Sequence, residues 1–318
     1  MDRIGGFRGL SHCRYGEVVP TIEVSGLVRE YGSNRAVDSV SLSIDPGEVY
    51  GLLGHNGAGK TTIIEILEGH RAATSGSVRV LGMNPATAGR EFRDRIGIVL
   101  QSSAVERELT VRESMNVYGS CYSAPRPVDE VIEMVGLIEK ADARVGSLSG
   151  GQRRRLDLAL GIIGNPDVLF LDEPTTGFDP VARRQSWELI QRLGAGGVTV
   201  LLTTHYLDEA EHLADRVGVL VGGRLVTEGT PDELMSMSPL TTVSFDLPDG
   251  VDEAVLALPP DVERDDGTIR IETDRPTELL AGITTRAAAN GVELPNLSVR
   301  RPSLEDVFLS IGDGANHE

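Results

Sequence analysis

Cysteine and long apolar runs are scarce in this chain of 318 residues. Its two cysteines, Cys13 and Cys121, are too few for a disulfide framework, so we expect a reducing, cytosolic setting. No uninterrupted apolar run of about 18 residues occurs, and the N-terminal residues contain no apolar core of signal-peptide length. We therefore expect a chain that does not cross a membrane by itself. If it works at a membrane, it must dock onto another protein.

Basic residues are also outnumbered, with 30 Lys/Arg against 48 Asp/Glu and a net charge of −18. This charge argues against sequence-independent binding of nucleic acid and against binding to an anionic membrane surface. The excess is uneven, because residues 231–318 contain 18 of the acidic residues and only 6 of the basic ones. Lysine occurs only at Lys60 and Lys140. We therefore expect a mildly acidic N-terminal part and a strongly acidic C-terminal part.

Periodicity and composition predict several segments. Residues 1–19 are rich in Gly and Arg without apolar periodicity and are predicted to be a disordered leader or an over-extended start of the sequence. Short β-rich runs then alternate with helical stretches over 20–235, which is typical of a largely parallel sheet covered on both faces. Within that α/β domain, helix formers at about 102–160 predict a helical subdomain. A small α+β domain is predicted over 240–312, followed by a frayed tail at 313–318.

A glycine-rich loop follows the apolar strand predicted at 49–53. Residues 54–62 spell GHNGAGKTT, which satisfies G-x-x-x-x-G-K-[ST] between a predicted strand and a predicted helix. Backbone amides of such a loop wrap a phosphate chain, and the helix N-terminus adds its positive dipole end. Lys60 is expected on the β- and γ-phosphates and Thr61 on Mg²⁺. A tight glycine turn with a surface lysine is the other interpretation, and it explains the exact motif and its flanks less well. The predicted phosphate-binding residues are Gly54, His55, Asn56, Gly57, Ala58, Gly59, Lys60, Thr61 and Thr62.

Two carboxylates end a second apolar strand, VLFLDE at residues 168–173. A phosphate loop needs an acidic Mg²⁺ partner on a neighbouring strand, and Asp172 is predicted to fill this role. Glu173 is predicted to orient or deprotonate an attacking water. Solvated acids at a strand end are the other interpretation.

The stretch LSGGQRRRLDLAL begins at Leu148 and places Ser149, Gly150 and Gly151 just before a predicted helix. A hydroxyl and bare amides at the positive end of a helix make a second anion site. One phosphate chain uses both sites only if the fold or a second subunit brings them together. A simple N-cap is the other interpretation of Ser-Gly-Gly.

Together these motifs resemble the nucleotide-binding subunit of ABC transporters, whose signature sequence is LSGGQ. The resemblance covers about residues 21–230 and implies a P-loop NTPase core with an antiparallel β subdomain and a helical subdomain, followed here by the small α+β domain. It implies that the signature (Ser149, Gly150, Gly151, Gln152) contacts nucleotide and that Asp172 binds metal. It further matches Gln101 to the Q-loop glutamine that senses Mg²⁺ or water, Asp179 to the D-loop, His205 to the switch histidine and Tyr31 to the aromatic residue that stacks on adenine. Taken singly, Gln101, His205 and Tyr31 have structural interpretations; their order and spacing favour the functional ones.

The same resemblance implies ATP and Mg²⁺ as ligands and two cassettes that close head to tail around ATP, so a homodimer is expected. The segment PSLEDVFL near the C-terminus is similar to the ATPase subunits of type-two exporters of the daunorubicin/doxorubicin resistance group. That similarity implies a separately encoded integral-membrane permease that docks on the helical insert, with the ATPase on the inner face of the cell membrane. No nucleic-acid partner is expected.

Two other classes remain open from the sequence. A soluble ABC ATPase, for example one in cluster assembly, fits the cassette motifs but not the extra acidic domain. A non-hydrolysing scaffold is disfavoured by the presence of Glu173 and His205. The C-terminal domain itself either buries a small core or stabilises or regulates a dimer, with Val307, Phe308 and Ile311 at the contact.

Overall fold

The computed structural model describes residues 13–14, 17–99, 105–237, 240–248, 250–260, 262–265, 267–300 and 303–308. The chain divides into two compact units, Met1–Pro231 and Asp232–Glu318. The sequence-based boundary at 235 lies four residues later. None of the described helices is long and apolar enough to cross a membrane.

The first unit contains eleven strands and seven α-helices among its described residues. The strands are β1 (Cys13–Arg14), β2 (Glu17–Val18), β3 (Ile22–Tyr31), β4 (Asn34–Ile44), β5 (Val49–Leu53), β6 (Ser75–Val80), β7 (Ile96–Val99), β8 (Val168–Asp172), β9 (Thr199–Thr204), β10 (Arg216–Val221) and β11 (Arg224–Gly229). The helices are α1 (Lys60–Leu67), α2 (Arg90–Arg93), α3 (Val111–Gly119), α4 (Val128–Met134), α5 (Gly150–Ile162), α6 (Pro180–Ala195) and α7 (Leu207–Leu213).

A six-stranded sheet forms the centre of this unit, in the order β11-β10-β5-β9-β8-β7. All neighbouring pairs are parallel except β10 with β11. Every residue of β5, β8 and β9 is buried, as expected for parallel strands covered on both faces. Successive residues of β8 alternate between two cores: Leu169 and Leu171 belong to one, and Val168 and Phe170 to the other. The predicted α/β fold class is therefore confirmed.

A second sheet, β4-β3-β6, is antiparallel and packs apolar residues such as Ile22 and Ile44 onto one of these cores. The helices α3, α4 and α5 form the helical insert, and Val111, Met115 and Val131 join the other core. The segment predicted as a disordered leader contains the antiparallel pair β1 and β2. This pairing differs from the prediction, because a two-residue ladder leaves no periodicity to detect. Residues 1–12 lie outside the described residues.

The second unit contains a four-stranded antiparallel sheet. Its core contains Phe245 and Ile271 from the sheet and Ile283 and Ala287 from the long helix. Residues 304–308 are helical. Its elements are α8 (Pro231–Ser236), which spans the division, β12 (Thr241–Asp246), β13 (Glu263–Asp265), β14 (Thr268–Thr273), α9 (Pro276–Ala289) and β15 (Ser298–Arg300). The strands of the sheet lie in the order β13-β14-β12-β15.

The last helical turn bears on the interpretation of this unit as a dimer contact. Val307 and Phe308 are buried within the chain. Buried side chains present no exposed apolar surface to a second copy, so these two residues do not support the contact suggested by the sequence. Ile311 and the tail at 313–318 lie outside the described residues.

Candidate functional site

The glycine-rich loop joins β5 to α1 in the conformation that a phosphate cradle requires. Gly59 precedes α1 with φ of 106°, and no side chain caps the helix. A Cβ at Gly59 would lie 2.4 Å from the carbonyl oxygen of Ala36. Glycine is therefore needed at this position for both its conformation and its space. The first-turn amides of α1 remain available to an anion.

The ammonium group of Lys60 is held against this loop. Its Nζ donates to the carbonyl oxygen of Gly54 at 2.6 Å and to that of His55 at 3.1 Å. The side chain is buried, and burial lowers the pKa of Lys60, while the carboxylates of Glu173 and Asp172 act to raise it. The ammonium is thus oriented by the loop and faces two acids, as a phosphate-binding lysine would be.

Asp172 joins the end of β8 to the start of α1. Its Oδ2 accepts a hydrogen bond from Thr61 Oγ1 at 3.2 Å, and its Oδ1 accepts one from Thr203 Oγ1 at 2.5 Å. A carboxylate and a hydroxyl at this separation are oxygen donors of the kind that Mg²⁺ prefers. The pair of Thr61 and Asp172 therefore fits a bound Mg²⁺.

Glu173 lies directly beyond the strand in an unusual backbone conformation. Its φ is 49°, which a non-glycine residue rarely adopts, and it precedes Pro174. Its Oε1 lies 3.0 Å from Nδ1 of His205, and its Oε2 accepts a hydrogen bond from Thr176 at 3.3 Å. His205 follows the neighbouring strand β9. Backbone strain of this kind persists where the surroundings hold it, and the contacts with His205 and Thr176 hold the two carboxylate oxygens of Glu173.

The signature residues form the N-terminus of α5. Ser149 is the N-cap: its Oγ accepts from the amide of Gln152, and Gln152 Oε1 accepts from the amide of Ser149. This reciprocal capping box is the structural role that the sequence left open. It leaves the first-turn amides of Gly150 and Gly151 without an intrahelical acceptor.

Arg154, on the same helix, is a site residue that the sequence did not single out. Its guanidinium is buried and donates to the carbonyl oxygens of Asp172 at 3.1 Å, Glu173 at 2.8 Å and Pro174 at 3.1 Å. Burial lowers its pKa, and the carboxylate of Asp157 acts to raise it. The available signal was helical spacing, because Arg154 lies four residues before the buried Leu158. The signature helix and the acidic strand end are therefore tied together within one chain.

Glu209 is a second residue that the sequence analysis missed. It is fully buried on α7, and its Oε1 accepts hydrogen bonds from Thr175 at 2.7 Å and from Trp187 Nε1 at 3.3 Å. Burial raises its pKa, and hydrogen bonds from Thr204, Thr175 and Trp187 act in the opposite direction. This carboxyl links the segment after Pro174 to the helix that follows His205.

Three other predicted residues lie around this cluster. Tyr31 ends β3 with its ring partly exposed, and the guanidinium carbons of Arg29 and Arg71 lie 4.6 and 5.2 Å from the ring centroid. Asp179 is the N-cap of α6, and its Oδ1 accepts from two first-turn amides at 2.9 Å. Gln101 lies outside the described residues.

The structure therefore brings one group of predicted residues into a connected cluster. Hydrogen bonds or ion pairs connect Thr61 with Asp172 and Glu173 with His205, and the pKa of the loop lysine responds to both acids. Among the described residues, no hydrogen bond joins the side chains of Tyr31, Ser149 or Asp179 to this cluster. Of the remaining loop residues, Ala58 donates to His55 at 3.1 Å, and Asn56 and Gly57 are exposed.

Two family models match the chain. One, described as "ABC transporter", covers residues 37–176, and the other, described as "ABC transporter domain-containing protein-like, C-terminal domain", covers residues 241–303. The chain is 38% identical to the daunorubicin resistance ATP-binding protein DrrA2 of Streptomyces coeruleorubidus over 91% of this chain and 94% of that protein. It is 39% identical to the Nod factor export ATP-binding protein I of Rhizobium sp. (strain N33) over 91% of this chain and 96% of that protein.

Solved structures agree with this assignment. A structure titled "Structure of ATP binding subunit of ABC transporter" superposes with a TM-score of 0.63 at 25% identity, over 68% of this chain and 92% of that one. CbiO1 of Clostridium perfringens, described as part of the ABC transporter complex cbiONQ, gives 0.62 at 26% identity, over 69% and 92%. The resemblance stated from the sequence motifs is confirmed, and the chain belongs to the ABC transporter family of ATP-binding proteins, which are ATPases.

Proposed function

We propose that this chain is the ATP-hydrolysing subunit of an ABC exporter and drives a separately encoded integral-membrane permease at the inner face of the cell membrane. The observation that carries the proposal is the cluster of Lys60, Thr61, Asp172, Glu173 and His205 at the ends of adjacent strands. The relatives are named for resistance to daunorubicin and for export of Nod factor. Because these names differ in cargo, the proposal concerns export and not one cargo.

The loop and α1 would bind the phosphates of ATP. The first-turn amides of α1 and the ammonium of Lys60 supply positive charge to the β- and γ-phosphates. Thr61 and Asp172, with Gln101, would hold Mg²⁺, which when bound neutralises charge on the phosphates. The partly exposed ring of Tyr31 would stack on the adenine base.

Glu173 would orient the attacking water and accept its proton. The ring of His205 at 3.0 Å and the hydroxyl of Thr176 at 3.3 Å hold the two carboxylate oxygens, so the carboxylate is positioned before substrate arrives. A base that is already in position adds little entropy cost to the transition state. This arrangement therefore supports ATP hydrolysis, and not ATP binding alone, as the role of the site.

A second copy of the chain would complete each ATP site. The amides of Gly150 and Gly151 at the start of α5 are suited to an anion, yet no hydrogen bond ties the signature side chains to the cluster of the same chain among its described residues. Head-to-tail pairing of two copies would place each signature, with Asp179 beside it, on the ATP bound by the other copy. ATP binding would then favour the closed dimer, and hydrolysis would release it.

The helical insert would dock the permease. Val117 and Tyr118 on α3 are exposed, although large apolar side chains in this insert are otherwise mostly buried. Adjacent exposed apolar residues on one helix are typical of a protein contact. Closing and opening of the ATPase dimer would be passed to the permease through this helix.

One substitution tests the ATPase part of the proposal. Glu173→Gln keeps the shape of the side chain but cannot accept the proton, so we expect turnover to fall at least about 100-fold and an ATP-bound dimer to accumulate. Size-exclusion chromatography with light scattering, with and without ATP and Mg²⁺, measures the dimer. Glu188→Gln, an exposed acid on α6, is the matched control and should keep normal turnover.

A monomeric Glu173→Gln protein with bound ATP would contradict the composite site. Full turnover in Lys60→Ala would contradict the phosphate-loop assignment. Co-purification with a six-helix membrane protein, and stimulation of ATPase activity in that complex, distinguishes an exporter subunit from an ATPase that works without a membrane partner.

A further inference from the structure

A cavity of about 360 Å³ lies where the end of α1, the strand β7 and the helical insert meet. Glu68 and His70 line it directly after α1, and Leu160 lines it from α5. Four further side chains that line the cavity are aromatic or basic, namely those of Phe92, Arg93, Tyr118 and Tyr122.

Glu68 is an unusual residue for such a cavity, because its side chain is only 1% exposed. The carboxylate has one hydrogen-bonding partner among the described residues, the Nδ1 of His70 at 3.1 Å. That imidazole is itself 59% exposed. Burial raises the pKa of Glu68 to about 8, and the carboxylates of Asp172 and Glu65 add to the effect. A buried carboxyl group with no full positive charge beside it stays protonated, so a cation that entered the cavity would displace this proton and pair with the carboxylate.

The walls of the cavity suit a cation. Phe92 is buried and Tyr122 is half-buried, and aromatic ring faces attract cations through their quadrupole. Gly164 fixes one of these rings, because a Cβ there would lie 2.4 Å from an atom of the Tyr122 ring. Arg93 is exposed, and within the described chain it forms no ion pair with Glu68.

The cavity continues onto the exposed surface of the insert. Tyr118 lines the cavity and is also 39% exposed beside the exposed Val117 on α3. A segment that lies on α3 is therefore placed to extend one long side chain past Tyr118 toward Glu68.

We propose that this cavity receives the guanidinium of an arginine from the permease segment that docks on α3, with Glu68 as its counter-ion and the aromatic rings against its faces. The inference rests on the proposed function, since the permease supplies the arginine. Arginine is favoured over lysine because its planar group both pairs with a carboxylate in bidentate fashion and stacks on aromatic rings.

The position of Glu68 gives this contact a consequence for the nucleotide site. Asp172 is one of the carboxylates whose field acts on Glu68. A cation that fixes the negative charge on Glu68 changes the field at Asp172, and by linkage a cation at Asp172 changes affinity in the cavity. Docking and nucleotide binding would therefore influence each other.

A soluble probe tests the cavity without the permease. Thermal unfolding of the whole chain is followed with acetyl-arginine amide and with acetyl-citrulline amide, which has nearly the same shape but no charge. The wild-type chain should be stabilised more by the arginine probe than by the citrulline probe. Glu68→Gln should abolish this difference, whereas Glu91→Gln, an exposed acid on α2, should keep it. Glutamine is close in shape to a protonated Glu68, so the variant is expected to fold.

Equal effects of the two probes on the wild-type chain, or a difference that survives in Glu68→Gln, would overturn the assignment. In the complex, Glu68→Arg should prevent co-purification of the permease, and Arg→Glu at one arginine of its cytosolic loops should restore it. If no arginine restores it, the inference fails while ATP turnover still supports the proposed function. Normal ATP turnover in Glu173→Gln would instead refute the proposed function and would leave the result with the two probes unchanged.

Discussion

Single side chains at the proposed nucleotide site are held by neighbours that lie far away in the sequence. Arg154 shows this most directly, because one buried guanidinium donates to three consecutive carbonyl oxygens, beginning with that of Asp172 at the end of β8. Buried carbonyl groups without a partner are costly, and Glu173 among them already has a strained backbone. Arg154 is therefore expected to act as a positioning residue for Glu173.

We expect Arg154→Met to lower both stability and turnover. The variant keeps the apolar stem but removes the guanidinium donors from three carbonyl groups, of which that of Glu173 also accepts from the amide of Thr176 at 3.3 Å. Each carbonyl group left without a donor and out of reach of water costs about 1–3 kcal/mol. Turnover should fall more than ATP affinity, because the position of Glu173 is affected and the phosphate loop is not. Chemical unfolding and the separate values of kcat and KM measure the two effects. Arg153→Met on the same helix is the control, and an equal loss there would contradict the role of Arg154.

We also expect the pH dependence of stability to change in Glu68→Gln. The pKa of Glu68 rises from its ordinary value of 4.5 to about 8 on folding, so the folded chain holds this proton more tightly than the unfolded chain. The stabilising contribution is complete below pH 4.5 and is lost as the pH rises toward 8. Burial is the main cause of this higher pKa, and the carboxylates of Asp172 and Glu65 add to it. His70 contacts the carboxyl group, and Arg93, Tyr118 and Tyr122 line the same cavity.

Glutamine carries no titrating proton, so Glu68→Gln should unfold at a higher temperature than the wild-type chain at pH 8.5 and show little difference at pH 5. One pKa unit is worth about 1.4 kcal/mol, so the gain at alkaline pH should be easily measured by calorimetry. Parallel pH curves for the two proteins would show that Glu68 is not a proton-binding group of the folded chain.

The motif residues could be predicted because their chemistry depends on spacing along the chain. Lys60 and Thr61 follow the loop directly, and Asp172 ends an apolar run. Arg154, Glu209 and Glu68 were not predicted, because each gains its role from burial against elements that are distant in sequence, and only Arg154 had a local signal in its helical spacing. Their functional interpretations remain predictions, as do those of the motif residues.

Among the elements of the fold, the helical insert contains a close contact between the two segments that follow α3 and α5. Tyr122 follows α3, and its ring lies against Gly164, which follows α5. Any side chain at Gly164 would meet ring atoms at 2.4 to 2.8 Å. The contact therefore fixes the end of α3 relative to α5.

We expect Gly164→Ala to displace the ring of Tyr122 and to destabilise the chain by about 1–3 kcal/mol, the usual cost of overpacking. The same change should reduce the preference for the arginine probe, because the ring is part of the cavity wall. Gly89→Ala is the control, since a Cβ at Gly89 meets no atom within 4 Å. Unfolding midpoints and probe shifts for both variants provide the measurement, and an undisturbed Gly164→Ala protein would contradict the packing described.

The start of α5 could be predicted from local sequence signals, whereas the short pair of β1 and β2 could not. The serine and glutamine of the signature are spaced as a capping box, and α5 begins where that spacing indicates. The pair β1 and β2 gives no such signal, because two residues in each strand depend on backbone pairing alone. The type of an element could therefore be predicted wherever the sequence contained either a periodicity over several residues or a helix-capping motif.

At the scale of the whole molecule, the excess of acidic residues is concentrated in the smaller of the two units. The second unit, Asp232–Glu318, carries 18 acidic and 6 basic residues on a sheet and helix with a small core. Repulsion among exposed acids such as Asp274 and Glu293 opposes compactness. Composition alone had already located this excess, but the size of the core that opposes it could be seen only in the fold.

Raising NaCl from about 0.01 to about 0.15 M should increase the unfolding temperature, because screening shortens the range of this repulsion from about 30 to about 8 Å. The double variant Asp274→Asn, Glu293→Gln should unfold at a higher temperature in low salt and respond less to NaCl. Calorimetry at several salt concentrations measures both slopes. A salt response unchanged by the substitutions would place the repulsion elsewhere.

The arginine that joins α5 to the end of β8 also affects how two nucleotides would communicate. In the proposed head-to-tail dimer, each α5 meets one ATP while the Glu173 to which it is tied serves the other. A displacement of α5 at one γ-phosphate would then be transmitted through Arg154 and the end of β8 to the opposite nucleotide. The two hydrolysis events would not be independent, and turnover would depend on ATP concentration with a Hill coefficient above one.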